Sequence, residues 1–448
     1  MIGPPDHGLP RRVFVLLLLI FVSAALLPSA VRSAAEPTPP AEVMAIADIH
    51  GDFDDLVALL QHAGLIDAAH HWSGGKTTLV QVGDVLDRGP KPRQAMDLLM
   101  ALEKEAPKTG GQLVCLLGNH EVMNITGDLR YVTPENFASF ATPDSDKRRG
   151  AAYQEYEKWR SKHSQLLAEL SQPMELTEAE WMARHPAGFL EQREAFSPNG
   201  VYGKWLREHS AIAKIGDVMF LHGGLSPSVA SLKLETINAH IRDEIKEFDS
   251  DKQYMLDEKI ILPFFNLQEV TAVAQAEIIA ERKGRMNADT RRQERLLQFL
   301  KIGEWFSVRS DGPLWFRGYD VWSDEEAAAH LDKALKTNNV AHIVVGHTVQ
   351  KGGRVRSRFD NKVFLIDTGM LSSYYPGGRA SALAISNGAK FTAEYMDQEV
   401  VLLSPPNISY LYQTEGVVAA ERRSSCLDSS AAPVLKSDTG AIRTGPCP

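Results

Sequence analysis

Five short stretches carry the side chains that could do hydrolytic chemistry. They are Asp48-Ile49-His50-Gly51, Gly83-Asp84-Val85-Leu86-Asp87-Arg88-Gly89, Gly118-Asn119-His120-Glu121, His222-Gly223-Gly224 and Gly346-His347-Thr348. Carboxylate, imidazole and amide groups together suit divalent cations. Asp48 and His50 are candidates for one ion, Asp84 for a bridge, and Asn119, His222 and His347 for a second ion. A phosphate ester resists attack because its anionic oxygens repel a nucleophile and its leaving oxygen is poor. Two ions about 4 Å apart lower the pKa of a bound water and neutralise the transferring group. The expected chemistry is therefore hydrolysis of phosphate esters. One Asp-x-His says little, whereas five such segments, each beside glycine, agree on one geometry. Glycine is expected to let the backbone turn tightly so that the side chains converge.

Those residues need elements to carry them. Val43 to Ala47, Thr77 to Val82 and Gln112 to Leu117 read as buried strands, each running into one of the motifs. Between them, Asp52 to Ala63 places Phe53, Leu56, Leu59 and Leu60 on one helical face, and Pro92 to Lys104 does so with Ala95, Leu98, Leu99 and Leu102. Strand–helix alternation predicts βαβ units with a parallel sheet, whose ligands sit beyond the carboxyl ends of the strands. Val218 to Leu221 and His342 to Val345 are further strands, ending in His222 and Gly346-His347. Two helical insertions are expected, at about 131–210 and 232–300. Short strands at 363–366, 381–385, 389–395 and 400–403 form a β meander, which suggests two facing sheets within one catalytic unit.

Composition sets limits. Across 448 residues, 44% are hydrophobic and 23% charged, the profile of a chain with a large core. A net charge of -9 without a Lys/Arg block argues against a nucleic-acid partner. It does not argue against a phosphorylated substrate, because a local metal site can overcome the global charge. Arg11 and Arg12, then Val13 to Leu27, then Ser33-Ala34-Ala35 have the order of a signal peptide over 1–35. The pattern predicts export, periplasmic or secreted, with no stable membrane span after cleavage. The catalytic unit is expected over 36–403 and a loose tail over 404–448. Cys115 reads as a small buried residue, and Cys426 and Cys447 as partners that export would permit to pair. The sequon at Asn124 lies too close to the site for a glycan. His62, His70, His71, His163, His185 and His209 read as solvated, and His342 as a satisfied strand residue.

The five motifs, in this order, resemble the signature set of the phosphoprotein phosphatase branch of the metallophosphoesterases, over roughly Met44 to Asp367. Val122-Met123-Asn124, Gly127-Asp128-Leu129-Arg130-Tyr131-Val132 and Gly312-Pro313-Leu314-Trp315-Phe316-Arg317 are similar to the Shewanella-like phosphatases within it. The resemblance implies an α/β fold, a four-layer α/β/β/α sandwich around a dinuclear Mn, Fe or Zn site. It implies that Asp48, His50 and Asp84 bind the first metal, and that Asp84, Asn119, His222 and His347 bind the second. Arg88 and Arg317 match the arginines that grip phosphate oxygens. His120 matches the general acid, oriented by Asp87, and the nucleophile would be a metal-bridging hydroxide. The implied function is a metal-dependent protein phosphatase acting on phosphoserine/threonine, phosphotyrosine or both. A small-molecule phosphoesterase or dinucleoside polyphosphate hydrolase is the alternative. A non-enzymatic pseudophosphatase would be expected to lack a ligand, and none is missing. The chain departs from the pattern at Leu86, where the usual residue is valine, and at Asp367-Thr368-Gly369-Met370 with Tyr374-Tyr375-Pro376-Gly377-Gly378. Asp367 reads as a strand-end turn residue or as the partner of a histidine. Glu121 reads as a structural partner of its loop, and Trp315 is expected near the site.

Overall fold

The computed structural model describes residues 42–168, 176–285 and 289–405. The segment expected to be a signal peptide, most of the expected tail, Cys426 and Cys447 lie outside them. The strands are β1 (Glu42–Ile46), β2 (Thr78–Gln81), β3 (Gln112–Cys115), β4 (Ile212–Ile215), β5 (Val218–Leu221), β6 (His342–Val345), β7 (Arg356–Arg358), β8 (Val363–Leu365), β9 (Ser381–Ser386), β10 (Lys390–Tyr395) and β11 (Glu399–Leu403). They make two sheets, ordered β11-β10-β9-β1-β2-β3 and β4-β5-β6-β8-β7. The fold is mixed α/β with two sheets, as expected. The C-terminal meander divides between them, its first strand being β8 of the second sheet. Its strands β9, β10 and β11 extend the first sheet, with β9 antiparallel to β1 in the register Glu42 to Ser386. Nothing in a run of short strands says which distant strand they will pair with. Strands β4 and β7, each an edge strand, are the two that sequence patterning did not separate out.

Alternation along the strands builds the layers. Val43, Ala45 and Ala47 point between the sheets, where they meet Phe220, Val344, Phe364, Leu383 and Ile385. Phe364 and Phe391 stack there with centroids 4.4 Å apart. Met44 and Ile46 point outward, onto helices α1 (Phe53–His62) and α2 (Pro92–Glu105). Asp52 caps α1 by accepting from Asp55 N at 3.2 Å, and Pro92 opens α2, where a missing N–H costs nothing. Helix α3 (Asn119–Thr126) is buried along all eight residues, which marks it as part of the site rather than a covering layer.

The two insertions share one apolar core. Tyr156, Trp159, Trp181 and Phe189 of the first pack with Phe248, Phe264, Phe265 and Phe299 of the second. The end of the first insertion behaves differently: Phe196, Tyr202, Trp205 and Leu206 pack with the core of the sheets. Two histidines expected in solvent are not there. His185 is 2% exposed and stacks on Trp181 with centroids 4.0 Å apart. His209 sits beside Trp205 and Glu103. A helix that reads as polar from one side of the sequence still buries the face turned to its partner insertion, and His185 is on that face. Cys115 is buried, and so is Asn124, at 2% exposure, which rules out a glycan there.

Candidate active site

All six expected metal ligands meet at the strand ends. Asp48 and His50 follow β1, Asp84 follows β2, Asn119 opens α3 after β3, and His222 and His347 follow β5 and β6. The first four thus come from one sheet and the last two from the other. His50, Asp84 and His347 have left-handed backbones, with φ of 48°, 59° and 64°. Asp87 and Arg88 do as well, at 67° and 64°. Each costs about 1–2 kcal/mol for an L-residue, and the hydrogen bonds around them hold them there. Ile49 N and His50 N both donate to Asp84 O, at 2.9 and 3.0 Å. Glu121 accepts from Gly118 N, Asp84 N and Val85 N at 2.8, 2.7 and 2.9 Å, so it is the structural partner of this loop cluster. Gln81, fully buried, accepts from Gly83 N and donates to Gly83 O and Ala47 O. Two glycines serve a purpose other than turning. A Cβ on Gly118 would lie 2.3 Å from Asp84 Oδ1, and one on Gly346 would lie 2.5 Å from Asp48 Oδ1. Neither has positive φ; they make room for the carboxylates.

The donor atoms converge with their lone pairs inward. His222 places Nδ1 3.0 Å from Val82 O, His50 places Nδ1 2.8 Å from Leu86 O, and His347 places Nε2 3.1 Å from Trp315 O. A carbonyl only accepts, so each of these nitrogens carries the hydrogen and the other ring nitrogen is left as a donor to a cation. Around His222 Nε2 stand Asn119 Oδ1 at 2.9 Å, His347 Nδ1 at 3.1 Å and Asp84 Oδ2 at 3.1 Å. Asn119 is turned this way because its Nδ2 faces Met123 Sδ. His50 Nε2 lies 3.7 Å from both Asp48 Oδ2 and Asp84 Oδ2. Asp84 therefore stands in both clusters, His50 with Asp84 and His120, and Asp84 with His222 and His347. Four atoms that can all accept, facing one another at this spacing, fit a divalent cation or, in its place, a single shared proton on His222.

The electrostatics follow the same geometry. Burial opposes the charged form of Asp84, but His222, His120 and His50 outweigh it and hold its carboxyl well below the ordinary range. Burial and the neighbouring His120 push His50 down, and burial and His222 push His347 down, so both stay neutral and able to ligate. His222 is raised to about 9: burial opposes this, but Asp84 and Asp48 prevail. A cation bound there would take the place of that proton.

Around the clusters stand the other expected residues. His120 Nδ1 is 2.6 Å from Asp87 Oδ2, and its Nε2 is 3.8 Å from Asp84 Oδ2. Arg88 donates to His50 Nε2 and to the Tyr375 hydroxyl. Arg317, on the exposed side, donates to His347 O at 2.8 Å and to Thr348 Oγ1 at 3.1 Å. Trp315 lies where expected, its ring 5.9 Å from that of His347. Asp367 is the turn residue of the two readings. One oxygen accepts from Gly369 N at 2.9 Å, while the other is buried without a hydrogen-bond partner and is not paired with a histidine, and the carboxyl lies close to the Asp48 and Asp84 charges. The ring of tyrosines was not foreseen. Tyr131, Tyr374 and Tyr375 surround the Arg88 guanidinium, with centroids 5.4, 5.2 and 5.5 Å from its carbon. Arg130-Tyr131 and Tyr374-Tyr375 were visible as motif residues, but nothing local ties them to Arg88.

The family model for calcineurin-like phosphoesterases matches residues 41–351. The chain belongs to the calcineurin-like phosphoesterases. An uncharacterised protein of Schizosaccharomyces pombe is 30% identical over 78% of this phosphoesterase and 78% of its own length. Shewanella-like protein phosphatase 2 of Arabidopsis thaliana is 35% identical over 47% of this chain and 53% of its own. Shewanella-like protein phosphatase 1 of Plasmodium berghei is 25% identical over 73% and 67%. Among solved structures, a cold-active protein tyrosine phosphatase is 26% identical over 81% of this chain and 78% of that one, with a TM-score of 0.51. The calcineurin-like phosphoesterase is thus a hydrolase with Shewanella-like phosphatase relatives, and its His/Asp clusters are consistent with a dinuclear divalent site.

Proposed function

We propose that the chain is a metal-dependent phosphomonoesterase acting on phosphoproteins, with phosphotyrosine its better substrate. The observation that carries this is the meeting of Asp84, Asn119, His222 and His347 around one point with atoms that can ligate a cation. Asp48, His50 and Asp84 would hold one ion, and Asp84, Asn119, His222 and His347 would hold the other. Mn, Fe and Zn all suit such mixed oxygen and nitrogen donors. When bound, the two ions supply an activated water and neutralise charge on the phosphate. Arg88 and Arg317 approach from opposite sides and pair with the phosphate oxygens, a task that suits a planar guanidinium. His120 donates the proton to the leaving oxygen from Nε2, while Asp87 fixes Nδ1. Tyr131, Tyr374 and Tyr375 line the approach to Arg88 with flat apolar faces, which favours an aryl ester over a serine phosphate. The solved cold-active protein tyrosine phosphatase supports the same preference.

Small phosphoesters and dinucleoside polyphosphates are the competing substrates. The test is turnover by the purified, Mn-loaded chain on phosphotyrosine peptide, phosphoserine peptide and diadenosine tetraphosphate. Phosphotyrosine peptide should have the highest kcat/KM. Preference for the dinucleotide would reassign the substrate, and no turnover on any of them with two ions bound would sink the enzyme reading. Asp84→Asn should lose bound metal as well as activity. The basic, apolar and small-residue order of positions 11–35 supports export, which fractionation of cells expressing the full chain would check.

A further inference from the structure

His120 is held from farther away than its own helix. Asp87 accepts from His120 Nδ1 at Oδ2 and from Asn124 Nδ2 at Oδ1, at 2.6 and 2.8 Å. Both Asp87 oxygens are thereby acceptors, so Nδ1 keeps its hydrogen and Nε2 is the atom left to exchange a proton. Asn124 is four residues after His120, on the same face of α3, and its Nδ2 also donates to His120 O at 3.0 Å. An amide side chain fits its site either way round, and only its partners choose. Here Nδ2 faces two groups that only accept, the Asp87 carboxylate and His120 O, and the first insertion supplies the donor for the other end. Gln192 Nε2 donates to Asn124 Oδ1 at 2.7 Å, which leaves the Nδ2 end for Asp87. Arg193 donates to Asn124 O at 2.9 Å. Both lie on the helix Phe189–Ala195, whose Phe189 and Leu190 are built into the insertion core. Asp87, Asn124 and Gln192 are each 2% exposed, so water does not compete for these bonds.

We propose that Asn124 and Gln192 are positioning residues for protonation of the leaving group. Gln192 satisfies and braces the oxygen end of the Asn124 amide, Asn124 holds Asp87, and Asp87 aims His120 Nε2 at the departing oxygen. In the step concerned the phosphorus–oxygen bond breaks with its electron pair going to the leaving oxygen, which takes the Nε2 proton. A proton from the attacking water restores the imidazole. The first insertion therefore belongs to the catalytic apparatus. This rests on His120 being the proton donor.

The experiment compares wild type, His120→Asn, Asn124→Asp, Gln192→Glu and Gln192→Met, each as the full Mn-loaded chain. Substrates are a phosphoserine peptide and p-nitrophenyl phosphate, whose leaving group needs no acid. Gln192→Glu offers Asn124 Oδ1 an acceptor, so the brace is lost and Asn124 no longer holds Asp87 firmly. The expected result is a loss of kcat of about 10–100-fold on the serine ester. On p-nitrophenyl phosphate the loss should be under about threefold, because little of the barrier there depends on the acid. Bound metal, by elemental analysis, should be unchanged. Equal losses on both substrates, or loss of metal, would mean a merely structural role and overturn the proposal. If His120→Asn is selective against serine and the other variants are not, positioning alone fails. If His120→Asn is not selective, the donor assignment fails and the proposal with it. Should Asn124→Asp not fold, Gln192→Met decides, since Gln192 touches none of the ligands.

Discussion

At the scale of single residues, the site is a set of acceptors kept in place by donors from the backbone. Glu121 is the clearest case. It accepts three backbone N–H groups, including that of the shared ligand Asp84, and is 1% exposed. Glu121→Gln keeps the shape but turns an NH2 toward groups that can only donate. It should cost about 2–4 kcal/mol of stability, and the chain should surrender its metal at lower chelator concentration. A denaturant titration and a chelator titration measure the two; full retention of metal affinity would mean that the Asp84 loop is held some other way. The ligands themselves were legible in the sequence because each ends a strand and stands beside a glycine. Asn124 was legible as a motif residue and as a sequon to be discounted, but not in its role, and Gln192 not at all. Their contact joins positions 68 apart through side-chain amides, and no periodicity records that.

Among the elements, the paired insertions carry one group that answers to acid apart from the site itself. Burial holds His185 down at about 4, against an ordinary value near 6.5. As pH falls below about 6.5 the unfolded chain takes up a proton that the folded chain refuses, so stability is present above that pH and is lost on the way to pH 4. The full loss is about 3 kcal/mol. Urea melts followed by tryptophan fluorescence between pH 7.5 and 4.5 should show this slope. His185→Phe, which keeps the ring against Trp181, should reduce it; an unchanged slope would place the acid sensitivity elsewhere. Sequence patterning found the helices of both insertions but not their shared core. Trp159 and Phe265, whose rings lie 4.9 Å apart, are brought together from opposite sides of β4 and β5. A polar helix whose buried stripe faces another insertion looks solvated when read alone.

For the whole molecule, the centre is where two sheets are joined. Asp48, His50, Asp84 and Asn119 come from one and His222 and His347 from the other, and His347 N donates to Asp48 Oδ1 at 2.9 Å. An ion held at a thousand times its Kd adds about 4 kcal/mol to the folded state. Removing two should lower the melting temperature by roughly 10 °C in one cooperative transition. Calorimetry with and without chelator measures this; two separated transitions would mean that the sheets do not depend on one another. The parallel sheet was legible from strands and helices in alternation, and the four-layer sandwich from the family resemblance. The strand order was not, because hydrogen bonding between β1 and β9 is a matter of which edge is free.

That pairing sets a schedule for the chain. Among the described residues β1 is the first strand to leave the ribosome, and one of its two neighbours, β9, begins at Ser381. Until then β1 has an open edge, and the aspartate and histidine behind it face ligands that end at His347. A nascent chain can finish its insertions early, but the second sheet waits for β8 at Val363–Leu365 and the first for β9, so the phosphatase is assembled from the back. Hydrolytic competence thus arrives only when almost the whole folded domain has been made, and a chain cut short before β9 would carry every ligand and still lack the strand that holds the first of them.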